Sequence, residues 1–501
     1  MPGSPANDSH DLLVIGGGPA GLAAALFAAR RGLRVVLLER AETLGGMAGG
    51  ETIDGVRVDR GSHRLHPATP PQILTLLRDL LGDDLQDRPR NGRVRLAGRW
   101  LRFPLRAQDL VTRMPPRWVA AVARDAGLAL VRRRGEDTSY AAALRSSLGR
   151  TAYGALYEPY AVKLWGVPGE EIDPEQARVR VSADSIPKVL ARLARTTAAG
   201  LARPGGVRPA PRGTRFLYPR AGFGQIVDAL AAAAREAGAQ LLTGVAVTSI
   251  STANAGHAPG AAGDRATQAG LVTVRAADER VWRAPTVFST VPVPVLARLA
   301  DPPAPAFVIE RARNLRLRAM VLVYLTHRPA AASPARWTPY DAHYLPDLDT
   351  PVSRISEPAN YRDNPEDPAD RSVLCAEIPC DVGDSVWTAG DEELRDLVLA
   401  GLARHDLPAP AVSATTVRRL PAVYPVYTHG FAGDLAALET WVAELPGVLT
   451  LGRNGLFAHD NTHHALVMAR AAIDCLDDGG RIDAERWRAA RESFRAHVVE
   501  D

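Results

Sequence analysis

A short apolar strand that breaks into Gly16-x-Gly18-x-x-Gly21 and then into a helix constrains this chain more than any other feature of its sequence. Asp11 to Gly21 reads Asp-Leu-Leu-Val-Ile-Gly-Gly-Gly-Pro-Ala-Gly. An alanine-rich helix is expected over Leu22 to Arg31, and a second buried strand, Arg34-Val-Val-Leu-Leu, ends at Glu39-Arg40. In such a unit the three glycines permit a tight turn, close approach of the backbone to a pyrophosphate, and strand–helix packing. The helix N-terminus offers free N–H groups to the anion. Glu39 stands where a carboxylate about 20 residues beyond the turn accepts hydrogen bonds from an adenosine ribose. Glycines with this spacing also mark ordinary turns, but the flanking strand, helix and acid single out a dinucleotide.

The residues beyond the acid separate two dinucleotides. Gly45-Gly46-Met47-Ala48-Gly49-Gly50 is a second glycine-rich turn, ahead of an expected hairpin from Glu51 to Asp59 and then Arg60-Gly61-Ser62-His63-Arg64-Leu65-His66. A nicotinamide dehydrogenase has no evident need for a second backbone approach here. A flavin does, because the chain must run beside its ribityl and isoalloxazine portions. No second G-x-G-x-x-G comes after a strand elsewhere, so FAD is the expected cofactor and a built-in NADPH site is not.

At 501 residues the chain is long for one core, and two domains are the natural expectation. A formal net charge of +4 on so many residues, with no basic run interleaved with aromatics, argues against nucleic acid. Arginine supplies almost all the positive charge; only Lys163 and Lys188 are lysines. Cys375, Cys380 and Cys475 have neither disulfide nor metal spacing, which fits a reducing cytoplasm. Residues 1–10 are a polar, disordered tail lacking signal-peptide character, and no apolar run approaches the roughly 20 residues that span a bilayer. A soluble cytoplasmic protein is expected, with peripheral membrane contact disfavoured and a homodimer left open.

The pattern is α/β, or α+β taken whole. A Rossmann-like FAD-binding domain is assembled from 11–70, 215–300 and 440–485. A mixed helical and β-sheet substrate domain occupies 71–214 and 301–439, and 486–501 forms a C-terminal helix and tail. Residues 71–200 are mostly helical in pattern, with a hairpin at Gly92–Pro104 and a helix from Trp118 to Val131 that ends in Arg132–Arg134. Residues 202–213 read as a linker and 251–270 as a small-residue loop. Strands are expected over Ala239–Ile250, Leu271–Ala277, Val281–Val291 and Ala319–Leu325, and helices over Gln225–Ala237 and Ala465–Cys475.

These residues resemble the superfamily of FAD-dependent amine oxidases, protoporphyrinogen oxidases and phytoene desaturases, nearly end to end. The shared features are the Gly16–Glu39 unit, Gly45-Gly46, Tyr218-Pro-Arg-x-Gly222, Gly244-x-x-Val247-x-x-Ile250 and Ser289-Thr-Val-Pro292. Within it the chain is most similar to the UDP-galactopyranose mutase-like branch, through Arg60–His66, Tyr160-Ala-Val-Lys163-Leu-Trp165-Gly166, Tyr424-Pro-Val-Tyr427 and Gly452-Arg453-Asn454-Gly455. The resemblance implies that Gly16, Gly18, Gly21, Glu39, Arg40, Gly45, Gly46, Met47, Arg60, Gly61, Ser62, His63, Val247, Gly452, Arg453, Asn461, Thr462 and His463 hold FAD. It departs from that branch at His459-Asp-Asn-Thr-His-His464, where histidines replace a tyrosine and an aspartate, so the cofactor site carries over better than substrate identity.

Four histidines, His63, His66, His459 and His463, are candidates for moving protons near flavin N5. Structural roles compete for each of them. The spacing of His459, His463 and His464 lacks a convincing acidic or cysteine partner, so no metal is expected. Asp460 is expected to cap the adjoining helix or face solvent. Trp165, Lys163, Arg178, Arg180, Tyr424 and Tyr427 are candidate substrate residues, as a stacking surface and as donors to phosphate oxygens. A core role for the aromatics and a solvated helix face for the arginines stand beside that reading. The function expected first is hydride transfer from a sugar or sugar-derived natural-product intermediate to flavin N5. A redox-neutral nucleotide-sugar mutase using reduced FAD comes second, an isoprenoid or porphyrin desaturase third, and a flavin-binding scaffold last.

Overall fold

The computed structural model describes residues 10–105, 107–131, 137–180, 215–252, 270–330 and 334–499. The N-terminal tail before His10, Arg132–Arg134, Lys188, the linker 202–213 and most of the loop 251–270 lie outside the described residues.

The first apolar run forms the strand Leu12–Ile15 at the centre of a five-stranded sheet. Its order is Val448–Thr450, Val287–Ser289, Leu12–Ile15, Val35–Leu38, Gln240–Leu242, and all neighbours are parallel. A parallel sheet is covered on both faces, and Leu12–Ile15 and Val35–Leu38 are accordingly apolar and buried at every position. Leu12, Val14, Val35 and Leu37 face a core shared with the helices Pro19–Arg30, Gly224–Glu236 and Thr462–Asp474. Leu13, Ile15, Val36 and Leu38 face the opposite core, which holds the antiparallel strands Val247–Ser251, Val272–Ala276 and Val281–Ala284.

Two expected strands are each divided between these sheets. Ala239–Ile250 becomes Gln240–Leu242 in the parallel sheet and Val247–Ser251 in the antiparallel one, because Gly244 at φ +69° turns the chain between them. Val281–Val291 becomes Val281–Ala284 and Val287–Ser289, parted at Pro285, which has no N–H for a ladder.

A seven-stranded sheet forms the second layer system. Its long strand Arg316–His327, next to one edge, pairs antiparallel with Ser372–Cys380 and Val412–Val426. The expected hairpin at 92–104 is observed as Gly92–Leu96 and Arg99–Phe103, and it closes the far edge through Ala342–Tyr344. Side chains of Arg316–His327 alternate between two cores. Val321, Val323 and Leu325 meet the helix Asp391–Arg404, whereas Met320, Leu322 and Tyr324 meet the hairpin Gly50–Asp59. That second face places the sheet directly behind the loop that leaves the hairpin. The three cysteines are buried and free, and no described helix is long and apolar enough to cross a membrane.

Candidate active site

At Gly16 the chain leaves its strand with φ +105°, and a Cβ there would fall 2.1 Å from Thr290 Oγ1. Under the turn, a Cβ on Gly21 would lie 2.0 Å from the Gly16 carbonyl oxygen. Gly18 is different. Nothing lies within 4 Å of where its Cβ would stand, so it faces open space. Gly18 is also the N-cap of Pro19–Arg30, a helix with no side-chain cap and no acid in its first turn. Its free N–H groups and the positive end of its dipole suit an anion. Glu39 accepts hydrogen bonds from the Gly17 N–H at 2.6 Å and the Ala41 N–H at 2.8 Å, which fixes its carboxylate beside the turn.

The second glycine turn docks on the first, its Gly45 N–H donating to the Gly17 carbonyl at 2.7 Å. Arg60 holds it from behind, through the Gly46 carbonyl and Thr43 Oγ1, both at 2.8 Å. The Ser62 N–H then donates to Glu377 Oε1 at 2.8 Å, and Ser62 Oγ lies 2.5 Å from the Tyr361 hydroxyl. Glu377 also receives Arg354, Nε at 2.9 Å and Nη2 at 2.7 Å. Burial opposes the charge of Arg354, but the Glu377 carboxylate, together with Tyr344 and Tyr424, outweighs it and holds the guanidinium well above the ordinary arginine range.

His63 stacks on Phe223 with ring centroids 5.2 Å apart, and its Nε2 lies 3.0 Å from the Arg60 carbonyl. A carbonyl only accepts, so this nitrogen carries the proton and Nδ1 is left as the basic atom. Burial pushes His63 below its ordinary range against the pull of the Asp59 carboxylate, so the ring is neutral at pH 7. The expected neutral-pH proton carrier is therefore a fixed neutral acceptor. His66 Nδ1 accepts the Ala68 N–H at 3.1 Å.

The opposite end of the site is aromatic and cationic. Trp165 and Tyr424 meet edge to face at 5.6 Å, and the Arg180 guanidinium lies 5.4 Å from the centroid of each ring. Arg453 approaches Tyr424 at 5.6 Å while donating to the Asp460 carbonyl at 2.6 Å. Tyr160, held neutral by burial, lines the same end.

One cavity of about 2230 Å³ connects Gly18 and Glu39 to Trp165 and Arg180. Pockets for a single drug-sized ligand reach roughly 1,000 Å³, so this one has room for a dinucleotide and a second molecule. Arginines outnumber carboxylates along its walls. A family profile for flavin-containing amine oxidoreductases matches residues 19–463, spanning both ends of the cavity.

The chain belongs to that family.

A coproporphyrinogen III oxidase from Propionibacterium freudenreichii subsp. freudenreichii is 26% identical over 489 residues, covering 88% of this chain and 86% of that protein. Among solved structures, a reduced UDP-galactopyranose mutase superposes with a TM-score of 0.75 at 18% identity, covering 98% of this chain and all of that one, 100%. A cyclohexylamine oxidase from Brevibacterium oxydans IH-35A does so at 0.60 and 16%, covering 97% and 99%. The expected fold and cofactor are those of this flavin-dependent oxidoreductase family: a Rossmann-like α/β unit that uses FAD. The open Cβ position of Gly18 and the uncapped helix end fit a pyrophosphate such as FAD carries.

Of the residues expected to hold FAD in this flavin-containing amine oxidoreductase, Gly16, Gly18, Glu39, Arg40, Gly46, Met47, Arg60, Gly61, Ser62, His63, Val247, Gly452, Arg453, Asn461 and Thr462 line the cavity. Gly21 and Gly45 shape the turns behind it. Burial, then the neighbouring His66 and His497, bring His463 down to about 4, so it is a neutral ring packed within the wall.

Asp460 neither caps the helix nor faces solvent. Asn461 is the N-cap, with His464 Nδ1 accepting its N–H at 3.1 Å, while Asp460 is buried against His497 at 2.9 Å.

The substrate candidates divide. Trp165, Arg180 and Tyr424 reach the cavity, with His66 on its wall. Lys163 instead spends its ammonium on the backbone carbonyls of Leu345 at 2.5 Å, Asp347, and Val352 at 3.0 Å. Arg178 is taken by Glu175 and by the Arg495 carbonyl at 2.9 Å. Tyr427 donates to the Phe457 carbonyl at 3.1 Å and stacks on Phe431, and His459 is buried against Gln176 at 3.2 Å.

Sequence reasoning missed Arg354, Glu377 and Tyr361. Glu377 did leave a signal, as the lone charge in the apolar strand Ser372–Cys380, because a charge on such a strand needs a partner.

Proposed function

We propose that this flavoprotein oxidises a small anionic molecule built on a sugar or a sugar-derived ring. FAD, when bound, accepts a hydride at N5. The observation that carries the substrate class is the far end of the cavity, where the Arg180 guanidinium lies 5.4 Å from both Trp165 and Tyr424. Flat aromatic faces suit a ring, and guanidinium forks suit phosphate or carboxylate oxygens. Segments 11–70, 215–300 and 440–485 supply the cofactor half in this reading, and 71–214 with 301–439 the substrate half.

The chain's own groups have three tasks. Glu39 and the uncapped helix end bind the dinucleotide at one end. The Arg354–Glu377 pair fixes the Gly61–Ser62 backbone where the reacting ring would lie. Nδ1 of His63, left unprotonated by its tautomer, is the acceptor for a substrate proton. A second reading, redox-neutral isomerisation of a nucleotide sugar, draws on the same cluster, since Trp165 and Tyr424 would equally hold a base beside a diphosphate.

The deciding experiment is an anaerobic titration of the holoprotein, monitored in its visible flavin band. Uridine diphosphate sugars, sugar acids and coproporphyrinogen III are added in turn. Bleaching by a sugar supports the proposal. Turnover only after dithionite reduction, without bleaching, favours the isomerase, and bleaching by the tetrapyrrole alone overturns the sugar assignment.

A further inference from the structure

Away from the cavity, the loop between the strands Ala342–Tyr344 and Arg354–Ser356 brings Asp347 and Asp349 against His405, the residue that ends the helix Asp391–Arg404. One ligand atom from each lies within 4.8 Å of the others. His405 is wholly buried, yet neither ring nitrogen makes a hydrogen bond. Buried polar side chains normally find a partner. Nε2 stands 3.1 Å from Asp349 Oδ1 but lacks the alignment of a hydrogen bond. Two ligand atoms of a tetrahedral ion with bonds of about 2.0–2.2 Å stand about 3.3–3.6 Å apart, so this pair needs only a small opening to share one.

Two cations of the chain, Lys163 and Arg95, face the cluster and oppose a further cation, but each is engaged with backbone carbonyls. Lys163 donates to the three loop carbonyls, and Arg95 to the His405 carbonyl at 2.7 Å. A second group, Asp460, His464 and His497, has the same residue types but a different state. Its rings stack in parallel at 4.2 Å, and His464 and His497 already use Nδ1 in hydrogen bonds.

We infer that Asp347, Asp349 and His405 form a site for one divalent transition-metal ion of the zinc class, completed by water on the exposed side at Asp349. One imidazole with two carboxylates suits such a borderline ion. The ion's role is structural. It ties the 345–353 loop to the end of the helix Asp391–Arg404, and Pro346, Ser353 and Arg354 on or beside that loop line the cavity. The clamp therefore steadies the wall that carries Arg354.

The test is calorimetric titration of chelator-treated, flavin-loaded protein with Zn²⁺ alone. It compares the wild type with Asp349→Asn, His405→Gln and His497→Ala. One equivalent should bind to the wild type and raise its melting temperature. Asp349→Asn, at an exposed position where folding is not at stake, should weaken binding by at least about tenfold, the loss that even an outer-sphere partner brings. His497→Ala should bind as the wild type does. Absence of binding to the wild type, or binding kept in Asp349→Asn, overturns the site, as does binding lost in His497→Ala and kept in the other two. The readout does not involve turnover, so it stands or falls apart from the proposed reaction.

Discussion

Arg354 meets Glu377 through two parallel hydrogen bonds of 2.9 and 2.7 Å, and the same carboxylate accepts the Ser62 N–H at 2.8 Å. One buried ion pair thus sets the height of the loop that carries His63. Removing one partner from such a pair strands the other charge, at a cost of about 3–5 kcal/mol. Glu377→Ala should lower unfolding free energy by about that amount, and Glu377→Gln, which keeps one acceptor, by less. Chemical denaturation measures both, and an equal loss in the two variants would remove the charge from the explanation.

Gly18 and Gly21 should separate cofactor binding from folding. Gly18→Ala meets nothing in the protein, so the flavin-free form should keep its stability to within about 0.5 kcal/mol. The added methyl points into the space assigned to the pyrophosphate, so FAD retention should fall. Gly21→Ala would drive a Cβ to 2.0 Å from the Gly16 carbonyl oxygen and should destabilise the fold itself. Melting curves of flavin-free protein and quenching of FAD fluorescence give the two readings.

Arg180 is the exposed-cavity cation of the aromatic end. Arg180→Ala should raise the KM of an anionic substrate about 10- to 100-fold, the worth of one hydrogen bond to a charged group. The effect should shrink as salt rises, with kcat little changed. A variant whose kcat alone falls would move Arg180 from binding to chemistry.

His463 makes the fold acid-sensitive. Its folded value is about 4, against 6.5 for the free side chain. Because the unfolded chain binds the proton more tightly, this contribution is fully present above 6.5 and is lost as pH falls towards 4. The span corresponds to about 3 kcal/mol at most. Urea denaturation at pH 7.0 and pH 4.5 should show a smaller difference for His463→Asn than for the wild type.

Much of the cofactor end was legible in residue order alone. A strand, a glycine turn and a helix are local events, and their φ demands, with the close approach of Gly21 to Gly16, fall on residues a few positions apart. Gly16, Gly18, Gly21 and Glu39 could be placed for that reason. The histidine and lysine expectations fared differently, because burial rather than residue type decides what a titratable group does. Lys163 has the charge of a phosphate ligand, yet the fold surrounds it with three carbonyls.

By itself, then, the order of residues determined the α/β unit, its turn chemistry and its dinucleotide. Only the tertiary structure decided which side chains share the cavity. Ser62 and Glu377 meet across 315 positions of sequence. No local periodicity encodes that meeting, since it depends on how the seven-stranded sheet packs against the hairpin of the cofactor unit.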